Sequence, residues 1–561
     1  LREAAARGVR AAAARPARQW CPGSIMLRLK CTVERVVPQL ARKSLLRSGL
    51  IVSASTFLSR ILGMIRDIII AHILGAGFSA DVFLFANRIP NFFRRLFAEG
   101  AFNQAFVPVL SDAKAKGDEE ARDLIASVMG TLGVIVAVVT VIGVIGSSVL
   151  AAVFGWGWFM EYLHDGPEAH KFVEAGFLLK ITFPYLWFIT ITALFSAVLN
   201  TWNRFAVPAL TPCLLNIAII AAALLLSPRL ENPEEGLAWG IFAGGVIQLV
   251  FQIPFVMRLR LLGRPKYAWN HPGVKQIRTL MIPALFGVSV NQINLLVNTT
   301  LATFLATGSI SYLYYSDRLL EFPLGMFAVA ISTVILPALA KVRAAGDMKR
   351  YADTMDWGIR SVVLLGCPAM AGMIALREPI ICVLFMHGSF SEHDAMMAGQ
   401  SLFASSLGIL SLMLARVAAP GFHAVKDMKT PVRYGIIAMI ANIIFNLALT
   451  WPLGYIGLAL STALSGTVNA WCLMRGLSKR GIYSPPRGTW ILSVRLILAA
   501  LVMAGAVWWL SPDISVWSGW STMVRAAALG GLIALGAAVY AAAAFAFGLR
   551  LRDLKADTEA L

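Results

Sequence analysis

The chain has 561 residues, 58% of them hydrophobic and only 14% charged, against roughly 25% charged in soluble domains. With a mean hydropathy of +0.72, it leaves no room for a sizeable soluble enzyme domain. The formal net charge of +19 does not indicate a nucleic-acid partner. The basic residues are spread over short loops, as in cytoplasmic loops retained by positive charge.

Residues 1–42 form a basic arm, rich in Ala and Arg from Leu1 to Arg18 and nearly free of acid. The arm is expected to be disordered. Its composition fits an organelle transit peptide and equally an over-extended reading frame ahead of an internal start such as Met26.

Fourteen membrane-spanning segments are predicted after it, near 45–74, 79–112, 121–155, 171–200, 206–228, 235–259, 275–307, 311–341, 351–384, 395–423, 431–451, 456–477, 489–510 and 520–548. Each supplies the roughly 20 residues that a bilayer requires. The loops between them alternate in charge. One set carries Lys114, Lys116 and Arg122, then Arg204, then Arg258 to Arg278, Lys341 to Arg350, Lys426 to Arg433 and Arg475 to Arg487. The other set, including 75–80, 308–310, 451–455 and 511–522, is nearly free of basic residues and is acidic at 161–168 and 231–235. This alternation predicts an even number of spans with both termini in the cytoplasm.

An internal repeat divides the chain. Val107-Pro108-Val109-Leu110 through Gly117-Asp118 returns as Leu336-Pro337-Ala338-Leu339 through Gly346-Asp347, and Gly236-Leu237-Ala238 returns as Gly457-Leu458-Ala459. Two six-helix halves of like orientation are a transporter architecture. The expected fold is an all-α polytopic membrane protein with an N-lobe over 43–262, a C-lobe over 263–482, and two further helices with a cytoplasmic tail over 483–561.

Arginines interrupt the apolar runs where a bilayer penalises charge by about 2.5–3.5 kcal/mol, so each is expected to face a wet cavity or a partner. In the first segment, Arg60 and Asp67 share a helical face and Arg66 lies about 120° from Arg60. The cavity reading makes Asp67 the local counter-ion; the alternative is a structural Arg–Asp pair. In the second, Pro90 is expected to break the helix. Arg88 and Arg95 share a face with Arg94 adjacent, and Glu99 stands four residues past Arg95, the spacing of a helical ion pair. In the eighth, Asp317, Arg318 and Glu321 form either a cavity wall or a neutralised triad. Asn291, Asn294 and Asn298, with Gln292 beside them, mark a polar stripe on the seventh.

No catalytic constellation is found. There is no HExxH, no paired metal-ligand spacing and no GxxxxGK[ST], so neither a metal site nor ATP hydrolysis is indicated and a transporter is expected rather than an enzyme. The six cysteines show no CxxC spacing and fit apolar packing.

The stretches Ser59–Asp67, Asn91–Phe102 with Gln104–Pro108, Leu199–Phe205, Tyr314–Pro323, and Ala419–Phe422 with Lys429–Pro431 resemble, in order, the MurJ (MviN) family of lipid II flippases. That family sits within the multidrug/oligosaccharidyl-lipid/polysaccharide exporter superfamily. The resemblance implies two lobes around a central cavity, a groove for the lipid tail along the last two helices, and location in the bacterial inner membrane. It implies head-group binding by Arg60, Arg66, Arg94 and Arg318, with Asp81, Glu99 and Ser311 as weaker family positions. It further implies alternating access for cell-wall biosynthesis, with no cofactor and a drive from membrane potential or an ion gradient, sodium among the candidates. Lipid II, membrane lipids and cell-wall synthesis enzymes are the implied partners. The alternatives are export of another polyprenyl-pyrophosphate-linked saccharide and multidrug export on the same fold; the basic balance of the charged segments argues against cationic drugs.

Overall fold

The structure is a computed structural model that describes residues 51–550, without the side chains of 97–99, 101 and 286–291. The expected N-terminal arm and the end of the cytoplasmic tail lie outside the described residues. Among the described residues the chain is helical, with no strand. Ten helical stretches are long and apolar enough to cross a membrane, or eleven if one pair bent by 42° is a single span. This is a multi-pass membrane protein.

The first half begins with α1 over 51–74, then α2 (Phe78–Arg94), a π-helical turn (Arg95–Gly100) and α3 (Ala101–Lys116). Next come α4 (Asp118–Ile145), α5 (Ser147–Phe154), α6 (Trp156–Leu163), α7 (Ala169–Thr182), α8 (Tyr185–Thr201), α9 (Ala206–Leu225) and α10 (Pro233–Arg258). The second half repeats the pattern with α11 (Pro272–Ala302), α12 (Ser309–Pro323), a second π turn (Leu324–Ala328) and α13 (Val329–Ala344). It continues through α14 (Met348–Ala375), α15 (Arg377–Leu384), α16 (Glu392–Ser406), α17 (Ile409–His423), α18 (Lys429–Leu453) and α19 (Tyr455–Lys479). Then follow α20 (Arg487–Leu510), the short α21 (Ile514–Gly519) and α22 (Thr522–Ala546).

The sequence repeat has a structural basis. Its first motif ends α3 and α13, each directly after a π turn. Its second motif opens α10 and α19, where a glycine lies against the end of the preceding element: Gly236 against Ser227 and Gly457 against the Leu449 carbonyl. A side chain at either position would push the hairpin apart. Lipid offers no hydrophobic drive for helix pairing, so close approach through small residues supplies packing energy. The turns after α8 and α17 also match. Asn203 and Lys426 take left-handed φ values of 59° and 62°, and the next amide reaches back five residues, Arg204 N to Leu199 O at 2.8 Å and Asp427 N to Phe422 O at 3.0 Å. Two buried apolar clusters result, one drawn chiefly from Ile70 to Leu313 and the other chiefly from Tyr312 to Leu549.

Several expected boundaries move. Pro90 stands inside α2 without breaking it. The carbonyl of Ala86, which a proline four residues on cannot satisfy, accepts a hydrogen bond from the Thr182 hydroxyl at 3.4 Å. The break falls instead at Arg95–Gly100. The expected 121–155 segment stops at Ile145 and restarts once, as α5, with the short α6 following beyond its expected end.

Polar loop contacts stay within the two charge sets. Lys114 donates to Thr201 O at 2.6 Å, Lys266 pairs with Asp123 at 2.8 Å, and Arg480 pairs with Asp427; all join loops of the basic set. At the other end, Ser389 N donates to His72 O at 2.9 Å, Arg525 donates to Met386 O at 3.1 Å, and Thr307 bonds Glu168.

Candidate functional site

Helices from both halves meet around three cavities that share walls. The first, about 330 Å³, is lined by Arg66, Arg88, Arg94, Arg95, Asp317, Arg318 and Glu321 together with Asn87, Asn91, Gln292 and Tyr314. The second, about 490 Å³, includes Arg60, Arg94, Arg318, Asn103, Ser196 and Asn216. The third, about 250 Å³, includes Arg60, Arg318, Glu321, Gly325 and Arg416. Arg318 belongs to all three walls.

One buried carboxylate organises the centre. Asp67 is fully buried. Its Oδ1 accepts from Arg66 Nε at 2.9 Å and Nη2 at 2.7 Å and from the Tyr314 hydroxyl at 3.0 Å. Its Oδ2 lies 2.6 Å from Arg318 Nε. Arg66 also donates from Nη1 to Asn216 Oδ1 at 3.1 Å and from Nη2 to the Tyr314 hydroxyl at 3.3 Å. Arg318 Nη1 donates to Glu321 Oε2 at 2.7 Å. The ion pair between α1 and α12 therefore joins the two halves of the repeat.

Asp67 is the counter-ion of Arg66 and of Arg318 on the neighbouring helix, because its side chain points between α1 and α12. Arg60 instead lies over Gly325 in the second π turn, where a Cβ would collide with its guanidinium. The Asp317–Arg318–Glu321 triad does not form. Arg318 takes Glu321 and Asp67, while Asp317 is exposed to the first cavity, which Arg88 also lines. Arg88 itself donates to Thr299 Oγ1 at 2.8 Å. Arg94 Nε donates to Asn91 Oδ1 at 3.0 Å. The side chain of Glu99 lies outside the described residues, and its backbone is π-helical, so the α-helical spacing assumed for Arg95 and Glu99 does not apply.

Asp81 and Ser311 sit together away from these cavities, at the end carrying the weakly basic loops. Asp81 accepts from Gly308 N at 2.7 Å, Ser311 N at 2.9 Å and Ser311 Oγ at 2.7 Å. It thus satisfies the first amides of α12 from across the interface, as an N-cap side chain would. Lys171, 1% exposed, lies 3.5 Å from the same carboxylate, donates to Thr307 Oγ1 at 2.9 Å and pairs with Glu168. On the polar stripe of α11, Asn298 is interhelical: it donates to Thr462 at 3.3 Å and accepts from Asn446 at 2.6 Å. Gln292 faces the first cavity. The side chain of Asn291 lies outside the described residues.

Sequence reasoning missed Arg416, Lys171, Tyr314 and Asn216. Arg416 interrupts the apolar run of α17 and obeys the same rule that singled out Arg60. Lys171 was placed at a segment end, where a lysine reads as an ordinary anchor. Tyr314 and Asn216 carry no charge, so nothing in their spacing distinguishes them from packing residues. No group of three or more metal-ligating side chains occurs among the described residues. The described cysteines Cys213, Cys367, Cys382 and Cys472 are free thiols.

The family model for the lipid II flippase MurJ matches residues 70–528. A Vibrio cholerae protein named "Probable lipid II flippase MurJ" is 56% identical over 92% of this chain and 99% of its own length. A Burkholderia cenocepacia protein named "Lipid II flippase MurJ" is 38% identical over 90% of this chain and 97% of its own. A solved structure of a lipid II flippase MurJ in an inward closed conformation superposes with a TM-score of 0.74 at 27% identity, covering 90% of this chain and 99% of that one. A multidrug-resistance MATE transporter of the MOP superfamily shares the fold, with a TM-score of 0.59 at 14% identity over 77% of this chain. This chain belongs to the lipid II flippase MurJ family.

Proposed function

We propose that this protein moves lipid II from the cytoplasmic to the periplasmic leaflet of a bacterial inner membrane, and that the arginine-lined cavities receive its anionic head group. The observation that carries this reading is the meeting of Arg60 and Arg66 from α1, Arg94 from α2 and Arg318 from α12 on connected cavities. Guanidinium presents forked donors that match phosphate and carboxylate oxygens, and the low dielectric of the surrounding helices and lipid strengthens each contact. The head group brings a pyrophosphate and peptide carboxylates, so cargo and wall are complementary.

The reading extends to fourteen spans in two six-helix lobes (43–262 and 263–482) followed by two helices (483–561), with both termini cytoplasmic. In it, the cluster at Asp81, Ser311 and Lys171 closes the periplasmic end while the cavities open toward the basic loops. Rocking of the lobes about this closure exchanges access, and the lipid tail stays in the bilayer throughout. Each arginine that crosses part of the field couples the cycle to membrane potential, at about 2.3 kcal/mol per charge per 100 mV.

Complementation of a bacterium depleted of its own flippase tests the function. The wild-type chain should restore growth and cell shape. Arg60→Ala and Arg318→Ala should fail to do so at normal membrane abundance. Rescue by both variants would reject the basic cavity.

A further inference from the structure

Two of the cavity arginines are already engaged. Asp67, fully buried, holds Arg66 of its own helix and Arg318 of the opposite half. Carboxylate and phosphate present similar acceptor oxygens to a guanidinium fork, so they compete for the same donor edges. The two contacts also differ in quality. Arg66 bonds Asp67 Oδ1 through two donors. Arg318 Nε and Asp67 Oδ2 approach to 2.6 Å but lack hydrogen-bond alignment, and both are buried atoms with no hydrogen-bond partner. The cross-interface side of the bridge is therefore the easier one to exchange.

We infer that Asp67 is an internal stand-in for the cargo's phosphate. It occupies Arg66 and Arg318 when the cavity is empty and is displaced from Arg318 when a pyrophosphate enters. This rests on the cavity being the head-group site and adds how that site is regulated. Both guanidiniums keep their aim after the exchange, because Asn216 holds Arg66 Nη1 at 3.1 Å and Glu321 holds Arg318 Nη1 at 2.7 Å. The stand-in has a purpose in the return half of the cycle. Without Asp67, two like charges would face one another in an empty, closing cavity. With it, a carboxylate lies between the two guanidiniums and offsets one of their charges as the empty carrier closes, and the cargo binds more weakly because only the fraction of molecules with open donor edges is competent.

The test uses the full chain in lipid nanodiscs, with inorganic pyrophosphate as the probe in calorimetry. Asp67→Asn should bind pyrophosphate about tenfold more tightly than wild type, by relief of that competition. Its multiple-turnover translocation of lipid II in proteoliposomes should fall. Glu321→Gln leaves Asp67 in place and loosens the hold on Arg318 Nη1, so pyrophosphate binding should not tighten. If Asp67→Asn folds with wild-type melting and binds no more tightly, while Arg318→Gln abolishes binding, the exchange is wrong and the cavity assignment stands. If Asp67→Asn does not fold, infrared difference spectra decide: pyrophosphate should shift a buried carboxylate band in the wild type that persists in Glu321→Gln, and the lack of such a band overturns the exchange. Binding that ignores Arg318→Gln overturns the cavity assignment and the exchange together.

Discussion

At Arg66, guanidinium does what an ammonium could not. Its donors reach Asp67, Asn216 and Tyr314 in three directions, a planar fan that a lysine's single nitrogen cannot reproduce. Hydrogen bonds involving a charged group contribute about 1.5–3 kcal/mol each, and losing one such bond to the cargo corresponds to at least about tenfold in rate or affinity. Arg66→Lys should therefore reduce lipid II translocation by about tenfold or more in proteoliposomes, even though charge is kept. Full activity would show that point charge suffices. The arginines themselves were legible in the sequence because charge inside an apolar run is a rare signal. Their partners were not. Helical periodicity put Asp67 on the face of Arg60, but the rotamer that buries Asp67 between α1 and α12 depends on a helix that is 240 or more residues away in sequence, at Tyr314 and Arg318.

The elements that position these side chains are the two π turns. Each follows the helix that carries an inward arginine, Arg88 on α2 and Arg318 on α12, and precedes the repeated Pro-containing motif. Such turns are frequent at functional sites, and sequence spacing that assumes 3.6 residues per turn misplaces whatever lies in them. In the second turn Gly325 leaves room for Arg60. Gly325→Leu should displace that guanidinium and lower translocation by about an order of magnitude, the scale of one lost charged contact, with melting temperature little changed because Arg60 is exposed and can move aside. A large drop in melting temperature would instead assign Gly325 to packing. At the opposite end, Asp81 serves three donors of α12 and sits beside Lys171. Asp81→Ala leaves buried donors unpaired at about 1–3 kcal/mol each, so thermal unfolding in detergent should come several degrees earlier. Unchanged unfolding would mean that the cluster bears no load.

At the scale of the molecule, composition made the helical, multi-pass class readable, and the sequence repeat returns as matched π turns and hairpins in the two halves. Their signals are additive over many residues, so no single error removes them. What stayed hidden were the contacts at the end carrying the weakly basic loops, such as Thr307–Glu168, Tyr315–Gly75 and Ser389–His72, because they join residues far apart in sequence. Cysteines at Thr307 and Glu168 in a background lacking the native thiols should cross-link under oxidant and stop translocation, with recovery on reduction. Continued translocation by the cross-linked protein would show that this end need not open.

The most direct measurement is lipid II translocation in proteoliposomes containing equal amounts of folded wild type and Arg318→Ala. Arg318 borders all three cavities and reaches across to Asp67. The account predicts flipping by the wild type and none above protein-free vesicles by the variant. Equal flipping by both would contradict it.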